Sequence, residues 1–290
     1  MSKFIYGMAK FTDYHYGYGS KNIQNEKIGT DILEFVYDYL GIKKFEISSR
    51  YKSSEKILSS FLNKNNLKAN IHYKIDNLEL ENFNYEVTYS DICKTLEKLK
   101  INSFDVIYLH QNEYKIISNK KIINFLAKLN NKKITKNLGG SIYSMKEFEY
   151  LRNNEIYNYI QLPINISNTY FYNKLKNKDN NKIVARSIFL QGTLFNKKIQ
   201  NHIYKYEINN FIREFNKKYI NANLSYIDVL SCFVSNLNKV DYILIGSVNK
   251  KNLNSIIKKS KIKLKREIVN DILKFSSVNK KWKNPRNWFK

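Results

Sequence analysis

Four side chains in the first half of the chain have the chemistry needed to protonate an oxygen atom. Glu46 lies inside the apolar segment FEIS, and Tyr51 follows that segment. Lys74 and His110 each end a later apolar segment. A phenol has a pKa of about 10, which a nearby ammonium lowers. A carboxylate can hold the ammonium in place, and an imidazole can orient a carbonyl oxygen. The set therefore suits protonation of an alkoxide that forms on a carbonyl carbon.

Carbonyl reduction also needs a hydride, which no side chain provides, so a redox cofactor would have to supply it. Taken singly, a lysine at a strand end is usually solvated, and a histidine there is usually a hydrogen-bonded core residue. Their occurrence at successive strand ends favours a shared chemical role. These residues therefore predict an oxidoreductase site.

The elements that must position these residues alternate between short apolar runs and amphipathic segments. The predicted strands are Phe4–Met8, Lys44–Ser48, Ala69–Ile75, Asp105–His110, Asn137–Ile142, Tyr159–Ile164, Ile183–Phe189 and Tyr242–Gly246. The predicted helices between and after them are Asp31–Leu40, Ser53–Asn63, Tyr89–Leu99, Asn119–Leu129, Met145–Asn153, Tyr170–Asn177, Tyr226–Leu237 and Lys251–Lys258. Eight such units predict an α/β protein with a (β/α)₈ TIM barrel, whose active site forms at the carboxyl ends of the strands. An open doubly wound sheet is disfavoured because no GxGxxG motif follows the first strand.

We expect a single domain over residues 1–290, because no linker divides the chain. One extra helix, Tyr206–Tyr219, precedes the seventh barrel helix, and another, Lys265–Phe275, precedes a C-terminal tail over residues 276–290. The tail is rich in aromatic residues, which we expect to dock on the surface rather than cover a pocket rim: Trp282, Trp288 and Phe289.

The high positive charge raises the question of a nucleic-acid partner. The chain has 50 Lys and Arg against 25 Asp and Glu, a formal net charge of +25. The lysines are spread along the whole chain and accompany many Asn, Ile, Tyr and Phe residues, a pattern typical of an A/T-rich coding bias. We therefore expect no nucleic-acid partner, although a basic surface favours anionic small substrates.

Composition also bears on the setting of the protein. No apolar run reaches the roughly 18 residues of a transmembrane helix. The start, MSKFIYGMAKF, lacks an apolar stretch long enough for a signal peptide. Cys93 and Cys232 lie far apart without a CxxC partner, which argues against a disulfide or a zinc site. These features predict a cytoplasmic protein with neither a membrane partner nor a bound metal, and they leave the oligomeric state open.

The order and spacing of these segments resemble the aldo-keto reductases, NAD(P)H-dependent TIM-barrel oxidoreductases with an Asp-Tyr-Lys-His set. FEISSRYKSSE is similar to the family segment FDTAxxYGxSE, and Lys74 and His110 match the family's Lys and His. The segments LGGSIYS, IQLPINI and YILIGSVNKKNL resemble its fifth, sixth and eighth strands. ARSIFLQGTL resembles the seventh strand of an FLQG-type subset associated with sugar or polysaccharide metabolism. The resemblance implies that Glu46, Tyr51, Lys74 and His110 are the catalytic residues of a carbonyl reductase.

The resemblance also implies a cofactor site. Ser141 and Gln161 would bind the nicotinamide carboxamide. Further cofactor contacts would be Arg186 at the position that stacks on the nicotinamide ring, Ser187, Leu190 and Gly192 along the pyrophosphate, and Gly246, Ser247 and Lys250 near the adenosine-side phosphate. A helix N-terminus with the paired Lys250 and Lys251 favours NADP(H) over NAD(H). For Gly246 a tight βα turn is an equal explanation.

Two departures from the family pattern support an alternative. Glu46 replaces the usual Asp, and Arg186 replaces an aromatic residue. The alternative is a catalytically degenerate barrel that binds nucleotide or a partner without turnover. For an active enzyme, the loops indicate a small carbonyl substrate that is polar or anionic, such as a sugar or sugar nucleotide. The loops expected to determine specificity are Asp13–Lys21, Asp76–Thr88, Gln111–Ser118 and Gln191–Tyr206, together with the tail.

Overall fold

The computed structural model shows a closed barrel of eight parallel strands in chain order. It describes residues 3–12, 22–76, 78, 81, 83–110, 113–177, 179–195 and 202–288. The predicted (β/α)₈ fold is therefore confirmed. The predicted specificity loop Asp13–Lys21 lies outside the described residues, as do parts of the other three loops and Phe289.

The strands agree closely with the apolar runs of the sequence. They are β1 Phe4–Gly7, β2 Lys44–Ser48, β3 Asn70–Ile75, β4 Phe104–Leu109, β5 Thr135–Ser141, β6 Tyr159–Pro163, β7 Lys182–Arg186 and β8 Tyr242–Ile245. Each end except that of β7 lies within two residues of its prediction. β7 stops at Arg186 rather than Phe189 because Ser187 has a φ of 52°, a left-handed conformation that ends extended pairing.

Helices follow the strands on the outside of the barrel. They are α1 Glu26–Glu34, α2 Lys52–Lys64, α3 Tyr85–Leu99, α4 Tyr114–Ile117, α5 Lys120–Asn131, α6 Met145–Asn153, α7 Lys205–Tyr219, α8 Tyr226–Cys232, α9 Lys250–Lys259 and α10 Arg266–Phe275. A π-helical stretch, Phe35–Tyr39, continues α1. The two extra helices are present as α7 and α10.

The predicted helix over Tyr170–Asn177 is wrong, because only a single 3₁₀ turn, Tyr172–Lys174, forms there. Nearby polar groups bond to the end of α10 instead of to a helix of their own. The Thr169 hydroxyl donates to the carbonyl of Leu273 at 2.8 Å, and the Asn173 amide donates to the same carbonyl at 3.0 Å. Tertiary contacts therefore override the local amphipathic pattern here.

The register of the barrel brings the polar strand ends together. Glu46 on β2 is aligned with Gly7 on β1 and with His72 on β3. Lys74 on β3 is aligned with Ser48 and, on its other side, with Tyr108 on β4. Because parallel strands present their carboxyl ends at one rim, these side chains share that end of the barrel.

The tail docks through its two described tryptophans, each 4% exposed. The Trp288 indole donates to the carbonyl of Trp282 at 2.9 Å. The ring of Trp282 lies 5.6 Å from that of Phe211 on α7, and the ring of Trp288 lies 4.5 Å from that of His202. The tail is therefore fixed to the barrel rather than free of it. No helix in the described part of the chain is long and apolar enough to cross a bilayer.

Candidate active site

A buried carboxylate on β2 holds the lysine of β3. Lys74 Nζ donates to Glu46 Oε1 at 2.7 Å, and the two side chains are 6% and 4% exposed. The side-chain amide of Gln161 donates to the second oxygen of the same carboxylate. A buried charge is costly unless it is paired and hydrogen-bonded, and both conditions are met. The expected ion pair is present, and the nearby Arg50 pairs with Asp76 at 2.5 Å instead.

The loop after β2 places Tyr51 beside His110. Tyr51 donates its backbone N–H to Ser48 at 2.9 Å, and its carbonyl accepts from the Ser54 hydroxyl at 2.6 Å. The phenol ring is 4% exposed and lies 5.7 Å from the His110 ring, nearly perpendicular to it. Because both ends of this turn are hydrogen-bonded, the backbone of Tyr51 is held in a fixed position at the start of α2.

His110 is held in the neutral form. Its Nδ1 lies 3.0 Å from the hydroxyl of Ser48. Burial lowers the pKa of His110 well below its ordinary value, and the positive charges of Lys74 and Arg50 lower it further. A neutral imidazole keeps one N–H donor and one acceptor. With one nitrogen on Ser48, the other is available to hydrogen-bond an oxygen of a ligand.

Ser141 is the last residue of β5 and is aligned with Gln161, the middle residue of β6. Gln161 Oε1 is buried and, among the described residues, has no hydrogen-bond partner. The Ser141 hydroxyl accepts from Arg186 Nε at 2.9 Å and still has a proton to donate. One acceptor and one donor match the carboxamide of a nicotinamide ring, so these residues fit the expected cofactor.

Arg186 is fixed against the end of β5. Its Nη2 donates to the carbonyl of Ile142 at 2.7 Å, and its guanidinium carbon lies 3.9 Å from the ring centre of Tyr143. A second guanidinium, that of Arg286 in the tail, lies 4.3 Å from the same ring centre. The backbone N–H of Tyr143 donates to the Glu147 carboxylate at 2.9 Å, which anchors the ring at the start of α6.

The family is decided by a comparison with protein-family models. The Aldo/keto reductase family model matches residues 3–276. This chain belongs to the aldo-keto reductase family. It is therefore an NAD(P)H-dependent oxidoreductase. No curated protein matches the chain significantly.

Several solved aldo-keto reductases share the fold. The holo form of AKR11C1 from Bacillus halodurans has a TM-score of 0.69 and 14% identity, covering 94% of this chain and 97% of that one. The glycerol dehydrogenase AKR11B4 from Gluconobacter oxydans has a TM-score of 0.69 and 17% identity, covering 96% of this chain and 93% of that one. MGS-M4, an aldo-keto reductase from a Medee basin deep-sea metagenome library, has a TM-score of 0.68 and 14% identity, covering 97% and 93%. Identities this low establish the common fold and nothing finer.

The segment after β7 in this aldo-keto reductase has an unusual backbone. Four of its residues have positive φ: Ser187 at 52°, Leu190 at 46°, Gln191 at 52° and Gly192 at 91°. A left-handed conformation costs a non-glycine residue about 1–3 kcal/mol and persists only where surrounding contacts impose it. Here the Asn165 amide donates to Ser187 O at 2.9 Å. Such strain is common at ligand sites, and this is the segment predicted to follow the pyrophosphate.

In the segment after β8, Gly246, Ser247 and Lys250 all have contacts within the protein that account for them without a ligand. A Cβ on Gly246 would lie 2.8 Å from the carbonyl oxygen of Gly7, so close backbone approach alone accounts for this glycine. Lys250 is the first residue of α9, and its Nζ lies 2.6 Å from Asp31 Oδ1 on α1. The Ser247 carbonyl accepts from the Tyr6 hydroxyl at 2.8 Å. The phosphate contacts predicted for Gly246, Ser247 and Lys250 stay a prediction.

Sequence reasoning missed four residues that the structure brings into this site. Ser48 positions His110, Asp76 pairs with Arg50, and Tyr143 contacts two arginines, one of which is Arg286. The register could have identified Ser48, because it lies two residues after Glu46 and faces the same side of the strand. No local signal points to Arg286, which lies at the far end of the chain.

Proposed function

We propose that this protein reduces the carbonyl group of a small polar or anionic substrate to an alcohol, with NADPH preferred over NADH. The observation that carries the proposal is the buried Lys74–Glu46 pair at the strand ends where Tyr51 lies against a neutral His110. A carboxylate, an ammonium, a phenol and an imidazole at one rim are the groups that carbonyl protonation requires.

Each of these side chains has a separate part in the proposed reaction. His110, neutral and held by Ser48, donates an N–H to the carbonyl oxygen and orients it. Tyr51 gives its proton to the alkoxide oxygen as the carbon is reduced, and the resulting phenolate later recovers a proton from water. Lys74 stabilises that phenolate by its positive charge. Glu46 fixes the ammonium through the 2.7 Å bond.

The proposed cofactor site lies beside these groups. Bound NADPH supplies the hydride that the protein itself lacks. Gln161 would accept from the carboxamide through its unpartnered oxygen, and the Ser141 hydroxyl would donate to it. The left-handed turn from Ser187 to Gly192 would follow the pyrophosphate, and Lys250 would reach the 2′-phosphate. Arg186 would lie beside the nicotinamide while it stays against Tyr143.

The substrate class and setting are also part of the proposal. The resemblance of ARSIFLQGTL to the FLQG-type subset and the basic surface support a sugar or sugar-nucleotide carbonyl. The free thiols of Cys93 and Cys232 support a reducing, cytoplasmic setting.

The test has two steps. Fluorescence titration with NADPH and NADH measures dinucleotide affinity, and NADPH consumption against a panel of aldehydes and ketones measures turnover.

Tyr51→Phe should lower turnover about 10²- to 10⁴-fold and leave NADPH affinity within a few-fold. Tyr39→Phe is the matched control, because Tyr39 is 61% exposed and ends the π-helical stretch that continues α1. Wild-type turnover in Tyr51→Phe would refute the role of the phenol. Dinucleotide binding without turnover of any carbonyl would favour a degenerate barrel.

A further inference from the structure

The guanidinium of Arg186 is a buried charge beside the residues that fit the nicotinamide carboxamide. Arg186 is the last residue of β7 and is buried. Its Nε donates to the Ser141 hydroxyl at 2.9 Å. Ser141 is aligned with Gln161, whose side-chain oxygen has no hydrogen-bond partner among the described residues. The hydroxyl that would donate to the carboxamide therefore also accepts from the guanidinium, so the charge lies at the nicotinamide end of the proposed cofactor site.

The other contacts of this guanidinium do not neutralise its charge. Its remaining hydrogen bonds go to neutral acceptors, the carbonyl of Ile142 at 2.7 Å and the hydroxyl of Ser187 at 3.5 Å. Its carbon lies 3.9 Å from the ring centre of Tyr143, and a cation–π contact stabilises a charge without cancelling it. Within the described part of the chain, none of the ion pairs includes Arg186.

The charge of Arg186 also acts on the strand-end site. Burial lowers the pKa of His110 well below its ordinary value. The charges of Lys74, Arg50 and Arg186 lower it further, in that order. Lys74 and Arg50 each pair with a carboxylate, at 2.7 Å and 2.5 Å. A ligand bound at these strand ends would therefore meet the positive charge of Arg186.

We propose that Arg186 makes the site discriminate between the two oxidation states of the cofactor, so that NADPH binds more tightly than NADP⁺. This inference rests on the proposed cofactor site. The nicotinamide ring is neutral in NADPH and positively charged in NADP⁺, so a buried cation beside it repels only the oxidised form. The phosphates and the adenosine are identical in the two forms, so their contacts cancel in the ratio of affinities. At an effective dielectric constant of about 20, two charges several ångströms apart change such a ratio about 10- to 100-fold.

This discrimination would act on loading and release of the cofactor. The overall equilibrium of the reaction does not change, because it depends only on the free substrates and products. A site that disfavours NADP⁺ fills with NADPH when both are present and releases the oxidised form readily after turnover. Hydride transfer within the site becomes less favourable in return, because it creates a cation beside the guanidinium. Arg186 therefore favours rapid exchange of the cofactor in the direction of reduction.

The test compares dissociation constants and needs no carbonyl substrate. Fluorescence titration gives Kd for NADPH, and displacement of bound NADPH gives Kd for NADP⁺. Arg186→Gln should lower the ratio of Kd for NADP⁺ to Kd for NADPH about 10- to 100-fold, chiefly through tighter binding of NADP⁺. Arg186→Met is also neutral and should change the ratio in the same direction, so the test does not depend on the folding of one variant. Arg186→Lys keeps the charge and should retain most of the ratio.

Two controls separate this role from others. Arg213→Gln removes an exposed arginine of α7 and should leave the ratio unchanged. The ligand 2′-phospho-ADP-ribose has the phosphates of NADPH but no nicotinamide, and it should bind the wild type and Arg186→Gln equally. If this ligand binds the variant more weakly while the ratio stays unchanged, Arg186 contacts the phosphates instead, and the proposal is overturned.

The outcomes also distinguish this inference from the proposed function. If NADH binds better than NADPH, the ratio measured with NAD⁺ and NADH tests Arg186 equally well, because its charge acts on the ring rather than on the 2′-phosphate. An unchanged ratio in both Arg186→Gln and Arg186→Met overturns the inference, whether or not a carbonyl is reduced. A shifted ratio in an enzyme that reduces no carbonyl supports the inference and refutes the proposed reaction. A wild type that binds neither dinucleotide rejects both.

Discussion

The Lys74 ammonium donates to Glu46 at 2.7 Å, and the amide of Gln161 donates to the other oxygen of the same carboxylate. One buried carboxylate thus joins the lysine proposed to act on Tyr51 and the amide proposed to hold the cofactor. The glutamate in place of the family's aspartate therefore keeps the ion pair intact. An unpaired lysine in this position would be costly, so we expect the carboxylate to stabilise the fold as well as to serve the proposed chemistry.

Replacing Glu46 with glutamine should affect both stability and turnover. Glu46→Gln keeps the shape but leaves the buried Lys74 charge without its partner. Breaking a buried pair in this way typically costs about 3–5 kcal/mol, which urea unfolding would measure. We also expect lower turnover and an altered pH profile, because the electrostatic environment of the phenol changes.

Glu46→Asp is the matched control, because it keeps the negative charge with a shorter side chain. It restores the residue usual in the family and should retain or raise activity, with the pH profile of the wild type. If the pH profile of Glu46→Gln coincides with that of the wild type, the carboxylate does not act on the proton donor.

Cofactor preference should depend on Lys250. Lys250→Glu should weaken NADPH binding much more than NADH binding, because only NADPH has a 2′-phosphate. Asp31→Asn should strengthen NADPH binding by up to about 5-fold, since it releases Lys250 from an exposed ion pair worth about 0–1 kcal/mol. Fluorescence titration measures both effects.

Lys258→Glu, at the exposed far end of α9, serves as the charge-matched control. Equal losses for NADPH and NADH in Lys250→Glu would contradict the assignment.

Much of the fold could be predicted because barrel strands are short apolar runs with polar boundaries. β2 has the predicted bounds, Lys44–Ser48, and the closed topology follows from eight such runs separated by amphipathic helices. The grouping of Glu46, Lys74 and His110 followed from the same rule, since residues at the carboxyl ends of barrel strands share one rim. The hydrophobic periodicity of the segments and their order along the chain were sufficient to predict these features.

The rest depended on contacts between distant parts of the chain. Tyr170–Asn177 has a helical pattern, yet its neighbours hydrogen-bond to the end of α10 and the helix does not form. Likewise, Arg286 reaches Tyr143 only because the tail docks through its tryptophans. A local pattern contains no information on such contacts, because the partners are determined by packing.

A substitution at Gly246 should show whether the fold or the bound dinucleotide requires this glycine. A Cβ there would lie 2.8 Å from the backbone oxygen of Gly7, which cannot move aside as a side chain can. Gly246→Ala should therefore lower the free energy of unfolding by about 1–3 kcal/mol in the absence of dinucleotide. Gly7→Ala is the comparison, because its new Cβ would meet the flexible side chain of Leu244 at 3.2 Å and should cost less. Wild-type stability of Gly246→Ala combined with lost NADPH affinity would show that the ligand requires this glycine.

Two histidines whose pKa lies well below the ordinary value should make the protein less stable in mild acid. Burial, together with the charges of Lys44 and Lys74, lowers the pKa of His72 to about 3. The pKa of His110 is also well below its ordinary value, chiefly because of burial. In the unfolded chain both should titrate near 6.5. Below that pH the unfolded state therefore binds protons that the native state does not.

The direction of the effect follows from this difference in proton binding. The free energy of unfolding should be highest above about pH 6.5 and fall as the pH drops toward 5, by up to about 1.4 kcal/mol per pH unit for each histidine. Carboxylates in the unfolded chain titrate mostly below this window, so they contribute little to the slope.

Urea unfolding at several pH values measures this slope. His72→Phe should have a shallower slope, with the shares of His110 and His202, whose pKa burial also lowers, remaining. Because this variant also loses the 3.0 Å contact between His72 and the Tyr108 hydroxyl, the slopes rather than the absolute stabilities are compared. A stability that stays constant from about pH 7 to 5 would mean that neither histidine is held neutral by the fold.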